Sequence, residues 1–294
     1  MAVNNSLVKS KANQRLGITA YLTADAVKNQ INSVVGGKDG QRFISAIVSA
    51  VNNNPTLQEC TNQSILSGAL LGESLKLSPS PQLGQYYLVP FNDKEKGKVA
   101  QFQLGYKGYI QLAIRSGQYK KLNVLAIKQG ELEYFDPLNE DIQINLMIDD
   151  WDAREQAETI GYYAMFELCN GFRKAIYWSK KQMESHAIKY SPGYKKDKEK
   201  GWNYTFWSKD FDGMAYKTML RQLISKWGVM SIDMKTAFES DMASINEDLT
   251  PDYVDNDENV IDMPQEQIKE QMVEQSKQEE SQQMSIEAAL FGNN

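Results

Sequence analysis

The chain has 294 residues, 41% hydrophobic, 24% charged and 10% aromatic, enough material to bury one large core or two modest ones. No run of about 18 apolar residues occurs, so no membrane-spanning helix is expected, and the polar start from Met1 to Ser10 lacks the apolar stretch of a secretory signal. The net charge of −6 hides two unlike parts: residues 241–294 hold 14 acidic and two basic residues, Lys269 and Lys277, while the rest holds 30 basic and 24 acidic.

A basic body with an acidic tail suggests a polyanion-binding domain carrying a separate recruiting segment, although many acidic tails only maintain solubility. Residues 1–30 are polar and sparsely apolar, and read as an arm with short helices. Residues 41–51 carry Phe43, Ile44, Ile47, Val48 and Val51, a helical apolar stripe. A second helix is expected from Thr61, a good N-cap, to about Leu77. Ser78-Pro79-Ser80-Pro81 ends it, because proline cannot continue a helix.

Residues 85–91 and 98–104 are β-prone runs around a charged loop, which predicts a hairpin. A helix is expected over 106–116, then strands over 122–127, 131–135, 160–168 and 173–178. The last two are joined by Cys169-Asn170-Gly171, whose Asn-Gly pair favours a tight turn. Helices are expected at about 179–190 and 210–227, separated by a Lys- and Gly-rich loop over 191–201. This order of helices, antiparallel strands and helices reads as α+β. Beyond about Met242 the chain turns acidic and polar: 246–264 reads as a disordered linker, and 265–291 as a Gln- and Glu-rich segment able to form a helix on a partner. The domain expectation is therefore an arm and candidate oligomerisation element at 1–40, a polyanion-binding core at 41–241, and a partner-binding tail at 242–294.

Little here suggests covalent chemistry. The single histidine, His186, lies in a helix-like stretch, where a surface role is the ordinary one; Cys60 and Cys169 stand far apart as unremarkable thiols of a reducing cytoplasm. Asp149, Asp150 and Asp152, or Glu131 and Glu133, could serve a two-metal nuclease, but a solvated charge run in a loop explains the first group. Residues 35–40 contain glycines and a lysine without the G-x-x-x-x-G-K-[ST] spacing that wraps a triphosphate. No catalytic group, metal or cofactor is expected, and the chain is read as a non-enzyme.

Two segments carry a better-formed pattern. In Leu104-Gly-Tyr-Lys-Gly-Tyr-Ile-Gln-Leu-Ala-Ile-Arg-Ser-Gly117, Lys107, Gln111 and Arg115 recur every fourth residue as one polar strip. Tyr106, Tyr109, Ile110, Ala113 and Ile114 cover the opposite side. Lys120, Lys121 and Lys128 follow, extending a basic ridge beside a sheet. In the second segment Trp202-Asn-Tyr-Thr-Phe-Trp207 precedes a helix with Tyr216, Leu220, Leu223, Ile224 and Trp227 on one face and Lys217 and Arg221 on another. Aromatics before a basic helix could stack on unpaired bases while the cations hold phosphates; equally, the aromatics could be core and the cations a solvated face.

The same segments, Leu104-Gly-Tyr-Lys-Gly-Tyr with Leu112-Ala-Ile-Arg-Ser-Gly117 and Met214-Ala-Tyr-Lys-Thr-Met-Leu-Arg221, resemble the two signature blocks of the RecT family of phage and prophage recombinases. Asn54-Pro-Thr-Leu-Gln-Glu-Cys60 and Leu83-Gly-Gln-Tyr-Tyr-Leu-Val-Pro-Phe91 extend the resemblance over roughly 40–240. The resemblance implies a protein that binds single-stranded DNA and promotes annealing and strand invasion without nucleotide hydrolysis, assembled as rings or helical filaments in the bacterial cytoplasm. It implies a partner 5′-to-3′ exonuclease and a core similar to the Red-beta and eukaryotic annealing proteins, a bent antiparallel sheet packed with helices. Carried onto this chain, the DNA contacts would be Lys107, Arg115, Lys217 and Arg221, with Lys120, Lys121, Lys128 and Trp207 added. Tyr216 stands where relatives often have a second lysine, so it would pack or stack instead. The tail, through Leu290 and Phe291, would dock a host single-strand-binding protein or the exonuclease. An adaptor that recruits replication proteins is the alternative, and a metal-dependent nuclease a more distant one.

Overall fold

In a computed structural model, residues 17–36 and 39–252 are described. They belong to one compact unit spanning 1–259; the second unit, 260–294, lies outside the described residues, as does the expected tail helix.

The chain begins with α1 (Ile18–Thr23), α2 (Asp25–Val35) and α3 (Gly40–Asn52), then a 3-10 turn at Pro55–Glu59. The Thr61 hydroxyl accepts from the Ser64 N–H at 3.4 Å and starts α4 (Asn62–Ser74). Every residue from Ser64 to Gly72 is buried, which makes α4 a central rather than an amphipathic helix. The hairpin β1 (Tyr86–Asp93) and β2 (Gly97–Leu104) follows in regular register, Tyr86 opposite Leu104 and Asp93 opposite Gly97. Its turn is fixed by Asp93, whose carboxylate accepts from the N–H groups of Glu95 and Lys96 at 2.7 and 2.8 Å.

Next come α5 (Tyr106–Ser116), β3 (Tyr119–Lys128), β4 (Leu132–Asp136), β5 (Asp141–Ile144) and α6 (Trp151–Gln156). Then follow β6 (Thr159–Leu168), β7 (Arg173–Ser179), α7 (Lys180–Tyr190), α8 (Pro192–Lys200) and α9 (Phe206–Lys209). The described fold ends with α10 (Phe211–Trp227), α11 (Ile232–Ser240), β8 (Ala243–Ile245) and β9 (Pro251–Asp252). The architecture is α+β with antiparallel pairing, as expected, and the strands divide among three sheets: β1-β2-β8-β9, β3-β6-β7 and β4-β5.

Two apolar clusters result. The first gathers α3, α4, β1, β2, α5 and α11; the second lies between one face of β3-β6-β7 and the helices from α7 to α10. Helix α10 serves both, giving Leu220 and Ile224 to the first and Ala215, Met219 and Leu223 to the second. All five are buried, so this helix has little solvated face.

The structure corrects several expectations. Residues 191–201 are not a loop: Ser191 caps α8 by accepting from the Tyr194 N–H, Pro192 occupies the first turn, and Gly201 ends it at φ 67°. The Asp149–Asp152 region is likewise helical at its end, with Asp150 capping α6 through the Ala153 N–H at 2.9 Å. The ordered fold also runs past Met242. Ala243 and Ser244 pair with Phe102 and Gln101 of β2, and β9 pairs with β8. The expected linker at 246–264 therefore starts as a turn and strand through Asp252; its remainder lies outside the described residues.

Candidate nucleic-acid interface

Helix α5 sits unusually close to the chain entering β1. A β-carbon placed on Gly105 would lie 2.2 Å from the Gly84 carbonyl oxygen, and one on Gly108 would lie 2.2 Å from that of Gln85. No side chain fits there, so the glycines of the Leu104-Gly-Tyr-Lys-Gly-Tyr block are required by backbone contact. The helix is also tied down through Tyr109, fully buried, whose hydroxyl donates to Asp241 Oδ2 at 3.1 Å. Burial first, and Asp241 second, hold the Tyr109 hydroxyl well above the ordinary tyrosine range. The first turn of α5 contains no acidic residue to oppose its positive end.

On this anchored helix Lys107 is exposed, its Nζ 5.9 Å from the Tyr106 ring centroid. Arg115, also exposed, donates to the carbonyls of Leu75 and Lys76, where α4 ends. The expected polar strip is present, but its apolar complement is not complete: Ile114 is exposed, and Leu112 takes the buried place.

The cations of α10 behave differently. Lys217 is only 7% exposed and its Nζ donates to Asp241 Oδ1 at 2.9 Å. Arg221 donates to Asp241 Oδ2 at 2.9 Å and to the Tyr109 hydroxyl at 3.1 Å. The Leu104 N–H donates to the same carboxylate at 2.9 Å. Asp241 thus joins α10, α5 and the end of β2 at one buried point. The reading of Lys217 as a solvent-facing cation is corrected: its ammonium is enclosed and neutralised by a carboxylate 24 positions later. Arg221 keeps part of its side chain in solvent, its guanidinium 5.1 Å from the Phe238 ring.

On β3, Lys120 and Lys121 share one carboxylate, Glu167 of β6, at 2.5 and 3.5 Å. Lys120 is the main cause holding Glu167 below the usual carboxylate range. Lys128 is half-buried at the far end of the strand, and its backbone N–H donates to Glu131 at 2.7 Å. Glu131 is fully buried against Arg154, with Nε to Oε1 at 2.6 Å, so this carboxylate has a structural partner. Burial disfavours its charge, but Arg154 and the N–H groups of Lys128 and Met147 outweigh that and lower its pKa. Glu133 is exposed. Among the described residues no group of three or more His, Cys, Asp and Glu side chains is placed to hold a metal. His186 packs between Trp178 and Tyr190, with centroids 5.3 and 4.6 Å away, and burial lowers its pKa.

The aromatic segment is also rearranged from expectation. Trp207 is 7% exposed, packed against Phe211 at 5.2 Å and Tyr194 at 6.0 Å, so it is core and not an open stacking surface. Its neighbour Phe206, another aromatic of the same segment, is 42% exposed and lies 5.7 Å from the Tyr87 ring. Tyr216 packs, as its departure from lysine suggested: its ring meets Tyr106 at 5.5 Å and Tyr162 at 6.1 Å. Of these cations Lys107, Arg115, Lys120 and Lys121 are exposed, Lys128 and Arg221 are half-buried, and Lys217 is enclosed.

Comparison with known proteins bears on this arrangement. A model described as the RecT family matches residues 41–261. A Bacillus subtilis (strain 168) protein, the uncharacterized protein YqaK, is 39% identical over 259 residues, covering 86% of this chain and 82% of that protein. Protein RecT of Escherichia coli (strain K12) is 27% identical over 244 residues, covering 81% and 84% respectively. Both glycine-bearing contacts and the Asp241 junction fall inside the matched region.

Proposed function

We propose that this chain, which belongs to the RecT family, binds single-stranded DNA and anneals it to a complementary strand in homologous recombination, as an oligomer and without hydrolysing ATP. The observation that carries the reading is Lys107: an exposed cation on a helix pinned by two glycine contacts and by the buried Asp241 junction.

In this reading Lys107, Lys120, Lys121 and Lys128 meet phosphates directly, and Arg115 does so from the last turn of α5, beside the end of α4. Lys217 and Arg221 act through Asp241 by fixing α5 against α10, with the open part of Arg221 as a further contact. Trp207 supports the interface from beneath. The work required is holding, not bond making. Two strands repel through their phosphates, and a cationic surface screens that repulsion. With phosphates held, base edges remain free to test a second strand, and each stacked step then contributes about 1.4 kcal/mol. Many linked protomers make a short nucleated duplex persist. Strand invasion is the natural extension of the same activity.

The proposal places the protein in the bacterial cytoplasm, with a 5′-to-3′ exonuclease and a host single-strand-binding protein as partners of 265–294. Among the described residues no helix is long and apolar enough to cross a membrane. The test is fluorescence annealing of two complementary oligonucleotides without ATP. The full chain and a chain ending at Asp252 should both accelerate pairing. Truncation at 241 would remove β8 and is not an equivalent variant. No acceleration by either protein would overturn the reading, and activity lost only with the tail would favour an adaptor.

A further inference from the structure

We propose that Phe206 and Tyr87 form a stacking seat for one unpaired base of the bound strand, an inference that rests on the single-strand-binding reading above. Phe206 is presented on a short, rigid support. The buried Asp197 uses one oxygen, Oδ2, to accept from the Tyr204 N–H at 3.1 Å, the Thr205 N–H and hydroxyl at 2.8 Å each, and the Ser208 hydroxyl at 2.6 Å. These groups lie on both sides of Phe206, so its backbone is fixed without the ring itself being packed away. Trp207 turns into the core at the next position, which leaves Phe206 facing out. An exposed aromatic held this way loses little freedom when a planar ligand covers it.

The neighbours select the ligand. The half-buried Tyr87 ring is tilted 37° to that of Phe206 at 5.7 Å, giving an aromatic corner between the β1 entry and α9. Gly84, at φ 61°, brings a cation to the same corner. A β-carbon there would meet the Tyr87 hydroxyl at 3.0 Å and Lys107 Cδ at 3.4 Å. Tyr87 and the Lys107 side chain therefore flank one point of backbone, and Phe206 joins them through its contact with the Tyr87 ring. An apolar planar surface beside a solvated ammonium matches a nucleotide, with the base on the rings and its phosphate toward Lys107. The seat would be indifferent to base identity, because each base offers a π-face.

The test compares two probes with equal phosphate count, an oligo(dT) and an abasic oligonucleotide of the same length. Full-length protein is titrated with each at fixed salt, alongside Phe206→Ala and Phe206→Tyr, with melting temperature recorded for all three. The wild type should prefer oligo(dT), and Phe206→Ala should lose roughly 5- to 100-fold on oligo(dT) while holding the abasic probe unchanged. Phe206→Tyr, which keeps a ring, should restore the preference. An equal loss on both probes, or no loss on either, overturns the seat while leaving DNA binding intact. Unchanged DNA binding with weakened self-association would reassign Phe206 to a protein contact and likewise overturn it. Failure of the wild type to bind either probe overturns the parent reading, and this one with it.

Discussion

Helices α5 and α10 look alike in sequence, each pairing an aromatic face with cations four or eight residues apart, yet their cations have opposite fates. Lys107 and Arg115 of α5 are exposed, whereas Lys217 of α10 is enclosed with Asp241 and Arg221 shares the same carboxylate. The difference arises from packing. Helix α5 has apolar contacts mainly on one side, so its polar strip stays wet. Helix α10 separates two apolar clusters, and Asp241 neutralises the Lys217 ammonium that this packing encloses. Spacing on a helix thus identifies a cationic stripe but does not decide whether the stripe faces phosphate or a buried acid.

Substitutions separate the two helices' roles. The largest effect is expected from Asp241→Ala, which leaves the Lys217 ammonium buried without its acid; urea denaturation should register a loss of about 3–5 kcal/mol. Trp207→Ala should also destabilise by about 3–5 kcal/mol in the same assay, since it empties part of the second cluster. Gly108→Ala forces α5 away from the Gln85 carbonyl; a loss of about 1–3 kcal/mol, read as a lower melting temperature, is expected with weaker strand binding. Lys107→Ala should leave stability within about 0.5 kcal/mol, its effect falling on DNA alone. Smallest of all, Lys121→Ala should change stability by less than about 0.5 kcal/mol, because its bond to Glu167 is long and exposed and Lys120 remains.

Features set by neighbours in the chain were legible in advance. The Thr61 cap, the 86–104 hairpin, the Asn-Gly turn before β7 and the span of α10 all follow from local preference and apolar period. Helix α8 had a visible start in Ser191-Pro192 and a stop in Gly201, but its lysine-rich composition masked both. Strand β8 is only three residues long and has meaning only through its pairing with β2, so no sequence period could mark it. The site divides the same way. Lys107 was legible from its helical strip. The burial of Lys217 depends on Asp241, beyond any local pattern, and the choice between Phe206 and Trp207 depends on Tyr194 and Phe211 filling the inner side.

In the proposed division of labour, α5 supplies a phosphate-gripping cation while α10 supplies a structural one. Salt titration of single-strand binding by Lys107→Ala and Lys217→Met, with stability measured in parallel, tests this directly. The slope of log binding constant against log salt should shallow by about 0.7 for Lys107→Ala at unchanged melting temperature. Lys217→Met should keep the wild-type slope and shift the melting temperature instead. A flattened slope for Lys217→Met beside an unaltered one for Lys107→Ala would contradict the assignment.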